Sequence, residues 1–170
     1  MDNYAECYHC EPAHPAFSDL ICMSEYEHTI DGITARQKGH EIRYENSAYP
    51  VAENAAMPHS LFWYIWPNTT INILPGNGDM MIGVIEPVSA TRTRFASYRF
   101  SPDGEHDDPV RQDYVANILG NEDRKLCESV QRGLTSRGYD QGRLVIDSER
   151  KGTGEHVIHW FHTLVRDALA

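Results

Sequence analysis

The chain has 170 residues, of which 41% are hydrophobic and 24% charged, and its formal net charge is −10. This length and composition predict one soluble globular domain over residues 1–170. The negative charge disfavours binding to nucleic acid or to an anionic membrane surface. No apolar run approaches the roughly 20 residues that a membrane span needs, and no secretory signal opens the chain, so we expect a cytoplasmic protein with reduced cysteines.

Three regions follow one another along the chain. Residues 2–14 are predicted to be helical as far as Cys10 or Glu11, because Pro12 disfavours helical geometry in the residue before it. Residues 26–100 combine β-branched and aromatic runs with turn signals such as PGNGD at 75–79, which is typical of an antiparallel sheet. The remainder predicts a helix over 109–134, a short strand at 142–147 and a closing helix at 155–169.

The closing helix carries one apolar stripe. Its members are Val157, Trp160, Phe161, Leu164 and Val165, and the stripe leaves His156, His159 and His162 on what we expect to be a solvated face. The complete pattern predicts an α+β domain.

The opening stretch MDNYAECYHCEPAHP is the main candidate for chemistry. Cys7 and Cys10 form a Cys-x-x-Cys pair, but structural zinc usually needs a second such pair, and Cys22 and Cys127 stand alone. The Cys-x-His half of a Rieske cluster is present without the Cys-x-x-His half, so no such cluster is predicted in this chain. Zinc held through the cysteines stays open as an alternative.

A third possibility is a mononuclear iron held by two histidines and one carboxylate, with coordination positions left open to dioxygen. His9 and His14 are five residues apart, which would place them on different sides of a continuous helix. A helix that ends near Cys10 would let His14 return from the following loop to the same metal.

The carboxylate has to come from elsewhere in the chain. In the segment NEDRKLCESVQRGL, Asp123 falls on an apolar stripe that we expect to be buried, whereas Glu122 and Glu128 do not. A buried carboxylate needs a cation or several donors, but aspartate also suits the first turn of a helix. The residue pattern leaves both interpretations of Asp123 open.

The segment DNYAECYHCEPAHPAFSD resembles the iron-ligand segment of Rieske non-heme iron oxygenase large subunits. The family pattern Asn-x-x-Asp/Glu-x-x-His-x-x-x-x-His matches Asn3, Glu6, His9 and His14. FWYIWPNTTINILPGNGDMMIGVIEPV, NEDRKLCESVQRGLTSRGYDQGRLVID and GTGEHVIHWFH resemble the carnitine monooxygenase branch in order and spacing. The resemblance covers almost the whole chain. It implies an SRPBCC-type helix-grip domain, with an antiparallel sheet around a long C-terminal helix, and Fe(2+) bound by His9, His14 and Asp123.

The resemblance also implies partners. Glu6 would carry electrons to the iron from the Rieske [2Fe-2S] centre of a neighbouring subunit, and Asn3 would support the iron ligands. Family members carry a Rieske domain and the first part of the catalytic domain before this motif, so we expect the cluster only in a partner or in a segment outside this chain. A flavin and iron–sulfur reductase and a homotrimeric full-length form are further expectations. Cys7 and Cys10 then become packing residues.

The implied reaction is the dioxygen-dependent hydroxylation of a quaternary ammonium compound such as carnitine next to nitrogen, which leads to C–N cleavage. Two alternatives are an aromatic-ring-hydroxylating oxygenase and a helix-grip binding module that receives no electrons. Aromatic faces attract a trimethylammonium group, so Trp63, Tyr64 and Trp66 of FWYIW are candidate substrate-binding residues. Strand alternation separates Trp63 from the other two, and such rings more often belong to a core.

Overall fold

The computed structural model describes residues 1–102, 104, 108–146 and 152–170. Its centre is a six-stranded antiparallel sheet in which the strands lie in chain order. The strands are β1 (Tyr26–Asp31), β2 (Thr34–Gly39), β3 (Ser60–Ile65), β4 (Thr69–Ile73), β5 (Met80–Ser89) and β6 (Arg92–Phe100). The predicted antiparallel sheet is confirmed.

Helices lie before and after the sheet. The first part contains a 3-10 turn at Asp2–Ala5, α1 (Cys10–Ala13), α2 (Pro15–Leu20) and a 3-10 turn at Met23–Glu25; the last part contains α3 (Pro109–Asp113), a π-helical segment at Tyr114–Leu119, α4 (Gly120–Gly133) and α5 (His156–Leu169). The helices predicted at 109–134 and 155–169 are confirmed, and so is the α+β class. Over the described ranges, no helix has both the length and the apolar character that a membrane crossing requires.

The helices pack on one face of the sheet. In β3, the side chains of Ser60, Phe62 and Tyr64 are buried while their neighbours are half-exposed. Phe62 contacts Phe17 of α2, with 6.0 Å between ring centroids, and Tyr64 contacts Trp160 of α5 at 5.8 Å. The inner face of the sheet is therefore the face that carries Phe62 and Tyr64.

Polar contacts fix the amino-terminal segment to this inner face. Directly paired residues of an antiparallel sheet point to the same side, and Phe62 is paired with Gln37 on β2 and with Asn72 on β4. The amide nitrogen of Gln37 donates to the carbonyl oxygen of Tyr4 at 2.7 Å, and the hydroxyl of Tyr4 donates to Oδ1 of Asn72 at 2.9 Å. The first residues of the chain thus have a defined place beside the sheet.

The predicted helix from residue 2 to Cys10 is wrong, because α1 begins at Cys10 instead of ending there. Glu6 is extended, with φ −148° and ψ 167°. Its carboxylate accepts the main-chain N–H groups of Tyr8 and of His9, so a side chain satisfies donors that a continuing helix would have used. Pro12 lies in the first turn of α1, where its missing N–H costs nothing.

The short strand predicted at 142–147 does not form over residues 142–146, and residue 147 lies outside the described residues. The carbonyl oxygen of Val145 accepts the N–H of Glu155 at 2.8 Å, and the N–H of Val145 donates to the Glu155 carboxylate. The segment is therefore bonded to the start of α5 rather than to the sheet.

The stripe expected to be buried on α4 is not buried. No residue of this helix is buried, and Val130 and Leu134 are exposed. Periodicity identifies the apolar side of a helix but does not say what covers it: Asp123 and Leu126 are half-buried, whereas the stripe is exposed from Cys127 onward. On α5, His159 and His162 are exposed as predicted, whereas His156 is half-buried against His28.

Candidate metal centre

Two histidines and one aspartate meet at one point on the inner side of the sheet. His9 immediately precedes α1 and His14 immediately follows it, so this short helix brings both imidazoles to the same place. Asp123 reaches them from the first turn of α4. The two Nε2 atoms are 3.2 Å apart, and Asp123 Oδ1 lies 3.0 Å from His14 Nε2 and 3.6 Å from His9 Nε2.

These separations fit a single metal ion. Ligand atoms about 2.1 Å from an ion and at right angles to one another are roughly 3.0 Å apart. Two imidazole nitrogens and one carboxylate on one side of an ion leave the other positions open, a donor set typical of non-haem iron(II). Among the described residues, His9, His14 and Asp123 form the group with this potential.

The outer nitrogen of each imidazole has a carboxylate of its own. Glu6 Oε1 lies 2.5 Å from His9 Nδ1, and Glu122 Oε2 lies 2.9 Å from His14 Nδ1. A carboxylate at Nδ1 favours the tautomer with its proton there, and the lone pair of Nε2 then points inward. The sequence pattern does not identify Glu122, because this residue lies off the apolar stripe of α4.

Asn3 joins the amino-terminal segment to α4. Its side-chain nitrogen donates to Asp123 Oδ1 at 2.7 Å and lies 3.2 Å from His9 Nε2. Its Oδ1 accepts from the thiol of Cys127 at 3.2 Å, which fixes the orientation of the amide. The structure therefore brings together all five residues matched to the centre in the sequence, Asn3, Glu6, His9, His14 and Asp123.

Without a metal, the charges of the centre are balanced by protons. Burial lowers the pKa of His9, but hydrogen bonds to Asp123 and Glu6 outweigh burial and raise that pKa to about 9. Burial likewise lowers the pKa of His14, yet Asp123 and Glu122 raise it overall. Burial raises the pKa of the Asp123 carboxyl, and its hydrogen bonds to the two histidines outweigh this and lower it. The neighbouring carboxylates therefore favour the positively charged form of each imidazole.

We expect the metal-free chain to lose stability as the pH rises from about 6.5 to about 9. The folded-state pKa of His9 is raised, so its protonation stabilises the fold fully below pH 6.5, and this contribution is lost as the pH passes about 9. Denaturant titrations with a chelator present measure this loss. His9→Gln should flatten the pH dependence, whereas His159→Gln, on the exposed side of α5, should retain it. An unchanged slope in His9→Gln would contradict the assignment.

The Cys-x-x-Cys pair forms a disulfide, so the prediction that both thiols are reduced is wrong. The Cα atoms of Cys7 and Cys10 are 4.9 Å apart, a distance that a disulfide spans readily. Both residues are buried in the core cluster that contains Phe17, which agrees with the predicted packing role. Cys22 and Cys127 are free, as predicted.

The three aromatic residues proposed for substrate binding lie in different surroundings. Tyr64 is buried, and its hydroxyl donates to the carbonyl oxygen of Pro67 at 2.6 Å. Trp66 follows the end of β3 and packs against Phe161 of α5 at 5.9 Å. Trp63 alternates to the outer face of the sheet. A substrate role for these three residues stays a prediction, and the contacts of Tyr64 and Trp66 are those of core residues.

Residues 1–170 match the family described as ring hydroxylating alpha subunit (catalytic domain). The chain belongs to this family. Curated relatives of this ring-hydroxylating alpha-subunit domain include the carnitine monooxygenase oxygenase subunits of Acinetobacter baumannii and Escherichia coli K12. They are 36% and 37% identical to it over 168 residues, which cover 97% of this chain and 45% and 44% of theirs. The chain thus spans less than half the length of these relatives.

Solved structures show the same fold. A quaternary ammonium Rieske monooxygenase, studied for carnitine oxidation by gut microbiota and for inter-subunit electron transfer, matches with a TM-score of 0.84 at 35% identity over 98% of this chain and 45% of its own. A structure of a quaternary ammonium Rieske monooxygenase in complex with its substrate L-carnitine matches with a TM-score of 0.78 at 36% identity, over 98% of this chain and 43% of that chain. The predicted helix-grip fold is confirmed for this ring-hydroxylating alpha-subunit domain.

Proposed function

We propose that the chain is the catalytic domain of a mononuclear non-haem iron(II) oxygenase that hydroxylates a quaternary ammonium compound, such as carnitine, next to nitrogen, which leads to C–N cleavage. One observation carries this proposal: the Nε2 atoms of His9 and His14 and the Oδ1 atom of Asp123 lie at distances from one another that suit a single ion. Similarity to carnitine monooxygenase oxygenase subunits supports the substrate class.

The residues of the chain prepare the centre for its metal. Iron(II), when bound, would supply the redox chemistry that activates dioxygen. Glu6 and Glu122 hold the outer nitrogens of the two histidines, and Asn3 donates to the carboxylate of Asp123. The inner atoms are thus oriented by hydrogen bonds, and little reorganisation is needed when a metal binds.

Electrons would come from a partner. A Rieske cluster takes two cysteines and two histidines, and in the described residues Cys7 and Cys10 are committed to each other. We assign the electron source to the [2Fe-2S] centre of a neighbouring subunit in a homotrimer, which a flavin and iron–sulfur reductase would supply. Glu6 contacts His9 and accepts the N–H of Tyr8, a residue that is 58% exposed, so its carboxylate lies between the proposed metal and the protein surface.

The substrate class is tested by calorimetric titration of the iron-loaded chain under anaerobic conditions. We expect carnitine or a related betaine to bind with a millimolar or lower Kd, equivalent to about 4 kcal/mol or more. The metal-free chain serves as the control for binding that depends on the centre. Tight binding of a neutral aromatic amide, with no response to carnitine, would instead favour the ring-hydroxylating alternative. Binding of carnitine by a chain that fails to bind iron would favour a binding module without catalysis.

A further inference from the structure

We propose that Glu122 is a positioning residue that holds His14 with its Nε2 atom toward the metal. This inference rests on the proposed metal centre. It gives a role in orienting a ligand to a residue that the apolar pattern of α4 had excluded.

The surroundings of His14 restrict the orientation of its ring. The side chain is 3% exposed, and its two nitrogens have carboxylates on opposite sides, Glu122 Oε2 at 2.9 Å from Nδ1 and Asp123 Oδ1 at 3.0 Å from Nε2. A buried imidazole in its neutral form has one donor and one acceptor nitrogen. A metal ion at the centre would need the lone pair of Nε2, so the tautomer that binds it carries its proton on Nδ1, where an oxygen of Glu122 can accept it.

The proton on Nδ1 determines what Nε2, the nitrogen that faces the proposed metal, can do. With the proton at Nδ1, the Nε2 lone pair is free to bind a cation, and rotation of the ring would place an N–H against the metal instead. Adjacent residues on α4 thus perform two tasks on one imidazole: Asp123 faces its metal-binding side, and Glu122 holds its opposite side. One turn of helix supplies both a ligand and the group that orients a second ligand.

Glu6 offers a structural comparison on the other histidine. Its Oε1 contacts His9 Nδ1 at 2.5 Å, and its backbone lies only three residues away in the chain. Glu122 reaches His14 across 108 residues and has a side chain 32% exposed. The orientation of the His14 ring therefore depends on where α4 lies, whereas the His9 ring is oriented by a residue close to it in the sequence.

Metal affinity provides the first test. Zn(2+) is a suitable probe because it is diamagnetic and does not oxidise, and titration of the full chain should give an affinity about 10- to 100-fold weaker for Glu122→Ala than for the parent. Glu122→Gln should recover most of the loss, because its amide oxygen can still accept from Nδ1. Glu128→Ala, a matched change at an exposed residue of α4, should bind as the parent does.

Nuclear magnetic resonance of the zinc-loaded chain provides a second readout that a general loss of stability would not mimic. Long-range proton–nitrogen spectra should show His14 protonated at Nδ1 in the parent, with a downfield proton, and that proton should move upfield or exchange away in Glu122→Ala. Circular dichroism of each metal-free variant checks the fold. An unaltered Nδ1 proton shift and exchange rate, together with unaltered affinity in Glu122→Ala, would overturn the inference.

The role of Glu122 and the existence of the metal centre can be tested separately. If Asp123→Ala loses zinc while Glu122→Ala keeps the parent affinity, the centre stands and the role of Glu122 is wrong. If Asp123→Ala and His14→Ala both bind zinc as the parent does, the centre is wrong and the role of Glu122 fails with it. If Glu122→Ala binds weakly and Glu122→Gln recovers, the orienting role is supported.

Discussion

Replacing Asp123 with alanine should abolish stable iron(II) binding, with a loss of affinity greater than about 100-fold. The carboxylate is the charged member of the three-residue group, and its oxygen lies within 3.6 Å of both inner nitrogens. Without it, two neutral imidazoles would face the cation alone. Metal content after anaerobic loading, followed by competition with a chelator, measures the change.

The cysteines provide the control for this prediction. A Cys7→Ser/Cys10→Ser variant removes the disulfide but none of the three proposed ligands, so it should retain about one iron per chain. If this variant loses its metal while Asp123→Ala keeps it, the cysteine site considered from the sequence would replace the histidine–carboxylate centre. Thermal unfolding of both metal-free variants establishes that each is folded before the comparison.

Replacing Glu6 with glutamine should leave iron bound but lower turnover at least about tenfold when a Rieske partner supplies the electrons. Glu6 contacts the outer nitrogen of His9 and no inner atom of the centre, so its charge lies between the metal and the exposed surface at Tyr8. The measurement is product formation with the partner protein, at equal iron loading.

A bypass experiment isolates the transfer step. In a single turnover driven by hydrogen peroxide, which supplies the oxygen atom already reduced by two electrons, Glu6→Gln should match the parent, since no electron then has to pass from a partner. Glu11→Gln, an exposed carboxylate on α1, should behave as the parent in both assays. Parent-like turnover of Glu6→Gln with the Rieske partner would remove its proposed role.

The parts of the structure with strong local signals were predictable. β-Branched and aromatic runs separated by turns identified the sheet, and the 3.6-residue period identified α5. The family pattern matched by Asn3, Glu6, His9 and His14 also named residues whose side chains lie close together in the structure. Each of these inferences depends on neighbours in sequence or on one motif.

The remaining features depend on contacts that periodicity does not encode. Glu6 interrupts the first helix because its carboxylate bonds main-chain donors, a competition between side chain and backbone. Burial was the wrong criterion on α4, which has no buried residue, and Glu122 is placed by a hydrogen bond to the Nδ1 atom of His14 rather than by hydrophobicity. An expected cytoplasmic location predicts reduced thiols at Cys7 and Cys10. The turn between these residues, however, brings their Cα atoms into the range of a disulfide.

The contact between His14 and Asp123 joins positions that are 109 residues apart in the sequence, one before the first strand of the sheet and one after the last. An ion held by both ends would act as a removable cross-link around a loop of that length, and covalent closure of a loop of about 100 residues is assigned roughly 4 to 5 kcal/mol in chain-entropy models. Before loading, hydrogen bonds hold the amino-terminal segment to α4, and their local opening would not require the strands to separate. After loading, their separation requires release of the ion, so the metal would merge the two ends and the sheet into one cooperative folding unit.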